Sequence, residues 1–146
     1  MKIGMEIGMD ELKRFGVSIE KKLLEKFDNY IKSKDYQNRS EALRDLIRKE
    51  LVDSQWEESG GEVAGAIIIV YDHHRKELMD NLVNIQHDYQ DIIISSQHVH
   101  LDHSTCLEVI VVKGKIAEVF GLEAKLKVAK GVKHASLAKS TLGKEM

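Results

Sequence analysis

Residues 98–108 read H-V-H-L-D-H-S-T-C-L-E and hold three of the chain's seven histidines together with its single cysteine. Side chains alternate across a strand, so His98 and His100 point to one face and both imidazoles can reach one ion. Residues 101–105 are short and polar enough to reverse the chain, which returns Cys106 beside the two histidines at the head of a second strand. One hairpin thus offers two nitrogen donors and one sulfur donor. That set suits zinc, copper or nickel and argues against calcium and magnesium, which take oxygen ligands. A fourth ligand is open among His73, His74, His87, His103 and His134. Glu108 shares the parity of Cys106 and reads either as an acceptor that orients a ligating imidazole or as an exposed strand carboxylate. A lone free cysteine is most often a small core residue, and it is the adjoining H-x-H step that turns this one into a candidate ligand.

Outward from the hairpin, residues 92–100 and 106–113 are the paired strands. Residues 63–71 form a nearly continuous apolar strand before them, and residues 74–89 a helix with Leu78, Leu82, Ile85 and Tyr89 as its buried stripe. After them comes a helix over 115–129, with Ile116, Val119, Leu122 and Leu126 inward although Gly121 weakens it, and a last strand over 132–137. The order β-α-β-β-α-β predicts a ferredoxin-like, ACT-like domain over residues 63–138, followed by a polar tail over 139–146. Residues 55–62, which contain Ser59, Gly60 and Gly61, read as a linker.

The N-terminal third has a different character. Residues 13–49 carry eleven lysines and arginines against six acidic residues, whereas the whole 146-residue chain has a net charge of −2. Residues 1–13 show no period and read as an arm. Residues 14–19, R-F-G-V-S-I, alternate strictly: Phe15, Val17 and Ile19 face one way, and Arg14, Gly16 and Ser18 the other. Leu23, Leu24, Phe27, Tyr30 and Ile31 then recur at helical spacing up to about Ser33. Asn38, Arg39, Ser40 and Glu41 have the spacing of a capping box, which opens a second helix with Leu43, Leu46, Ile47 and Leu51 as its stripe. One short strand with two helices cannot hide its own edges and apolar face, so the segment calls for a second copy of itself. No apolar run is long enough to span a bilayer, and Glu6 and Asp10 interrupt any signal-peptide core. With one cysteine and no possible internal disulfide, the expectation is a soluble, cytoplasmic protein with no membrane partner.

The strand, helix and capped N-R-S-E-A-x-R helix of residues 14–54 resemble the ribbon-helix-helix class of DNA-binding repressors. The resemblance implies an α+β protein whose N-terminal segments pair into a ribbon that enters the major groove of a double-stranded DNA operator. Arg14, Gly16 and Ser18 then occupy the base-reading positions, and Gly16 supplies no side chain there. With the βαββαβ domain, Gln86-His87, H-V-H at 98–100 and Cys106 added, the chain is similar to the nickel-responsive transcription regulator (NikR-like) family from Arg14 to His134. That similarity implies a homotetramer, a dimer of dimers, with one Ni2+ per subunit in square-planar sites between subunits. His98, His100 and Cys106 would come from one chain and His87 from its neighbour. It further implies a second cation site at Glu41 and Asp45, and phosphate contacts from Arg75 and Lys76; Arg39 could also meet phosphate near the capped helix start.

Two other readings of the residues stay open. A zinc-dependent metalloenzyme would use His98, His100 and Cys106 as ligands, a water in the fourth position and Glu108 as general base. It would leave the basic N-terminal third without a task. A small-ligand-sensing regulator would keep the ferredoxin-like fold and dispense with the metal.

Overall fold

The computed structural model describes residues 11–58 and 60–144. The first ten residues of the expected arm and the last two of the expected tail lie outside the described residues. Among the described residues eight regular elements follow in order: α1 (Lys21–Ser33), α2 (Arg39–Glu57), β1 (Glu62–Asp72), α3 (Lys76–Asp88), β2 (Ile93–His100), β3 (Thr105–Lys115), α4 (Ile116–Val128) and β4 (Val132–Lys139). The chain divides into two units between Leu43 and Arg44.

In the first unit, residues 11–20 carry no regular secondary structure, although alternation predicted a strand over 14–19. A strand is defined by its hydrogen-bonded neighbour, and among the described residues of the chain this segment has none. Its apolar side is open: Phe15 is 72 % exposed and Val17 65 %. Helix α1 ends where two backbone bonds close its last turn, from Tyr36 N–H to Ile31 C=O at 3.2 Å and from Asp35 N–H to Lys32 C=O at 3.4 Å. Asp35 adopts the left-handed conformation this closure requires, with φ of 57°. The predicted cap of α2 is present, since Asn38 Oδ1 accepts the Glu41 N–H at 2.9 Å. Glu41 reaches back one residue beyond the cap and accepts the Gln37 N–H at 3.3 Å.

The second unit is the βαββαβ arrangement. Its sheet has the order β2-β3-β1-β4, and every neighbouring pair is antiparallel. Along β1 burial alternates, so Val63, Ile67, Ile69 and Tyr71 face the core formed with Leu78, Leu82, Val119, Leu122 and Leu126 of the two helices. Residues of α2 also belong to this core. The expected linker is helical through Glu57, and Trp56 is 3 % exposed. Its indole N–H donates to the Ser140 carbonyl at 2.9 Å, and its ring meets Phe120 edge-on at 5.8 Å. Gly65 makes room for that ring: a β-carbon there would lie 2.7 Å from the Ala138 carbonyl oxygen and 3.2 Å from the indole. Gly121 has a similar reason, because the Tyr89 hydroxyl lies 3.0 Å from where its β-carbon would be.

Candidate metal centre

Register builds the site. Tyr71 of β1 and His100 of β2 both stand opposite Cys106 of β3, and His98 stands opposite Glu108. These five side chains share the sheet face that carries the core. Residues 101–105 reverse the chain as expected, with Asp102 as the organiser. Asp102 Oδ1 accepts the N–H groups of Ser104 at 2.9 Å and Thr105 at 2.8 Å, which hold its carboxyl below the usual carboxylate range. The Ser104 carbonyl in turn accepts the His73 N–H at 3.1 Å, tying the end of β1 to the turn.

That tie brings His73 to the cysteine. Cys106 Sγ lies 3.3 Å from His73 Nδ1 and 3.3 Å from His100 Nδ1. Among the described residues, His73, His100 and Cys106 are the group whose donor atoms all lie within 4.8 Å of one another. Burial, then the nearby Glu108, Asp102 and Asp72 carboxylates, push the Cys106 thiol up. Partial desolvation, followed by the His74 and His100 imidazoles, pushes His73 down, toward the neutral form that ligates metals. Two imidazoles and a thiol at this spacing fit a borderline-soft divalent ion such as nickel(II).

His98 lies outside that converging group. Its Nε2 lies 2.8 Å from the Tyr71 hydroxyl, which donates to Glu108 Oε2 at 2.9 Å. Glu108 Oε1 accepts from Gln86 Nε2 at 2.8 Å and from Ser96 Oγ at 2.6 Å. Glu108 is 5 % exposed, which corrects the expectation of an exposed strand carboxylate; its three donors are Tyr71, Gln86 and Ser96, and His98 Nδ1 lies 3.8 Å away. Tyr71 is fully buried, and burial first, then Glu108, push its phenol well above the ordinary value. The nearly continuous apolar run of residues 63–71 gives no sign of which face Tyr71 takes; the β1–β3 register decides it, and the roles of Tyr71, Ser96 and Gln86 follow only from the fold.

The remaining candidates are dispersed. His87 is exposed on the last turn of α3 and is not part of the converging group. His74 Nδ1 lies 3.5 Å from Asp72 Oδ1, the His103 ring lies tilted beside His74 with ring centroids 5.3 Å apart, and His134 of β4 stands opposite Val70. Arg14, Gly16 and Ser18 are exposed. Arg39 is held by Asp28 through two bonds of 2.7 and 2.8 Å. Glu41 is engaged in the α2 cap, and Asp45 lies 3.8 Å from Arg48. Arg75 and Lys76 line an open basic recess of about 730 Å³ with Lys130 at the start of α3.

Residues 64–140 match the family model described as the NikR C terminal nickel binding domain, and residues 13–54 match that of the ribbon-helix-helix protein, copG family. The chain belongs to the nickel-responsive regulator family. A Chlorobium phaeobacteroides protein named for nickel-responsive regulation is 60 % identical over 133 residues, covering 91 % of this chain and 98 % of that protein. One from Chlorobium limicola is 58 % identical over 135 residues, covering 92 % of this chain and all of its own length. A Syntrophus aciditrophicus relative of the same description is 50 % identical over 135 residues, at 92 % and 98 % coverage. The α+β fold class, a ribbon-helix-helix region followed by the βαββαβ unit, is that of the family. Among the described residues no helix is long and apolar enough to cross a membrane.

Proposed function

We propose that this protein is a nickel-responsive transcriptional repressor whose operator binding is strengthened by nickel(II). The observation that carries the reading is the convergence of two imidazoles and one thiol at the end of the β2–β3 hairpin, in a chain whose residues 13–54 match a DNA-binding family. In this reading each subunit holds one Ni2+ with His98, His100 and Cys106, and His87 of a neighbouring subunit supplies the fourth donor. The exposure of His87 and of β2 from Ile94 to His100 supports this, because neither is used up in the chain's own core. A homotetramer, a dimer of dimers, supplies the neighbour. Two copies of residues 14–19 pair as the ribbon, Arg14 and Ser18 read bases, and Arg39, Arg75 and Lys76 meet phosphates. Glu41 and Asp45 are the candidates for a second cation site. If nickel binds the DNA-competent arrangement more tightly than the free one, nickel and DNA must strengthen each other by the same factor.

The test uses two variants, His87→Ala and His98→Ala, each unable alone to assemble four ligands. In a mixed oligomer one chain offers His98, His100 and Cys106, and the other offers His87. Partial recovery of the thiolate-to-nickel charge-transfer band on co-refolding is expected; no recovery, once mixed oligomers are shown to form, would sink the intersubunit site.

A specific observation favours a second ligand set, in which His73 takes the place of His98 beside His100 and Cys106. His73→Ala then weakens nickel binding while His98→Ala spares it, the reverse of the first reading. The zinc-enzyme reading loses its base, since the Glu108 carboxylate already meets three donors. A metal-independent sensor would bind operator DNA equally well with and without a chelator.

A further inference from the structure

The geometry points to Tyr71 as a positioning residue that selects the tautomer of His98 and leaves its Nδ1 lone pair to take the metal. This rests on the reading of His98 as a ligand. The starting point is Glu108. Three groups donate to its carboxylate: the Tyr71 hydroxyl on Oε2, and Gln86 Nε2 and Ser96 Oγ on Oε1. A carboxylate accepts at both oxygens and donates at neither, so the single Tyr71 proton is committed to Glu108. The Tyr71 oxygen can then only accept from its other neighbour, His98 Nε2, at 2.8 Å. His98 therefore carries its proton on Nε2. Its Nδ1 lies 3.5 Å from the Tyr71 oxygen and 3.8 Å from Glu108 Oε2, too far for a hydrogen bond of ordinary strength to either. The direction of each bond follows from the charge at one end of the chain, Glu108 to Tyr71 to His98.

A metal-ligating imidazole commonly donates its second N–H to a carboxylate, which sets the tautomer and raises the basicity of the ligating nitrogen. Here the phenol passes that polarity across one more residue. Tyr71 is fixed for the task by complete burial and by its place in β1 opposite Cys106.

Reversing the charge end reverses the relay. In Glu108→Gln the amide oxygen remains with Gln86 and Ser96, and the amide NH2 faces Tyr71 and donates to it. The Tyr71 proton then turns to His98 Nε2, and the imidazole proton moves to Nδ1, where it blocks the metal. Tyr71→Phe removes the relay and keeps the ring in the core.

Nitrogen-15 NMR of the metal-free full-length protein at a pH of about 8, where an ordinary imidazole is neutral, reads the tautomer directly. The parent is expected to show His98 with Nε2–H, Tyr71→Phe a mixture, and Glu108→Gln Nδ1–H. Nickel titration, followed by the charge-transfer band, is expected to show affinity down roughly 10- to 100-fold in both variants. An unchanged tautomer in both variants overturns the proposal, as does ligation of nickel by His98 Nε2 in the loaded parent. Should His98→Ala bind nickel as the parent does, the ligand reading fails while the tautomer result still decides the relay.

Discussion

Gln86 Nε2 donates to the buried Glu108 carboxylate across 2.8 Å, and Gln86 immediately precedes His87 on α3. The helix that carries one candidate ligand is thereby tied to the strand that carries another, Cys106. Gln86→Leu leaves the carboxylate with two donors instead of three. Loss of a hydrogen bond to a charged, largely buried acceptor costs about 1–3 kcal/mol, so urea denaturation of the metal-free protein should show a fall of that size. An unchanged midpoint would mean that this bond does not hold α3 to the sheet.

With Cys106 as a ligand, as proposed, the thiol sets a pH dependence of nickel binding. Burial raises the Cys106 pKa, and only the thiolate ligates, so binding must expel a proton that the free protein holds more tightly than an ordinary cysteine does. Apparent nickel affinity should climb about tenfold per pH unit, from neutrality toward the thiol's raised value, and fall as acid is added. Cys106→Ser should abolish the charge-transfer band and this slope together; a titration of affinity against pH in both proteins checks it.

Gly65 is required by packing. In Gly65→Ala the new methyl meets the backbone carbonyl of Ala138 on β4 and the ring of Trp56 in the core. Overpacking of this kind costs about 1–3 kcal/mol. Trp56 is the only tryptophan, so its fluorescence in a urea titration reports both the loss and any displacement of the ring.

Base reading by the paired strands predicts that Arg14→Ala loses about 1–3 kcal/mol of operator affinity and relaxes selectivity at one step of each half-site. Competition binding against operator variants measures it. Undiminished selectivity would remove residues 14–19 from the groove.

In the proposed DNA-bound state Arg39 is shared between Asp28 and a phosphate. The Arg39 hydrogen bond, aided by its charge, holds the Asp28 carboxyl below the usual range. A depressed carboxylate contributes stability that is full above its unfolded value, about 3.9, and is lost as pH falls through the lower folded value. Asp28→Asn should therefore flatten the acid limb of the stability curve below about pH 4. It also frees the guanidinium, so DNA binding should strengthen for all sequences alike, with a steeper dependence on salt. Circular dichroism against pH and binding at two ionic strengths give the two readouts.

Local rules written along the chain were sufficient for much of this protein. Apolar period gave the βαββαβ order, strand parity put His98, His100, Cys106 and Glu108 on one face, and the Asn38 side chain caps α2 as its spacing requires. Each of these depends on residues a few positions apart, where backbone geometry alone fixes which side chains meet. Residues 14–19 show the limit of such rules, because alternation marks a strand's two faces but pairing needs a neighbour. The tertiary structure decided the rest. His73 reaches Cys106 only because the Ser104 carbonyl holds its backbone, and Tyr71 reaches His98 only because β3 separates their strands in register. Trp56 joins the core from a stretch whose composition reads as a linker. These contacts span 27 to 84 residues of chain in the hydrogen bonds that make them, from Tyr71–His98 to Trp56–Ser140. No local period carries such information, since a side chain's burial and partner are set by what the sheet register and the helix layer bring to it.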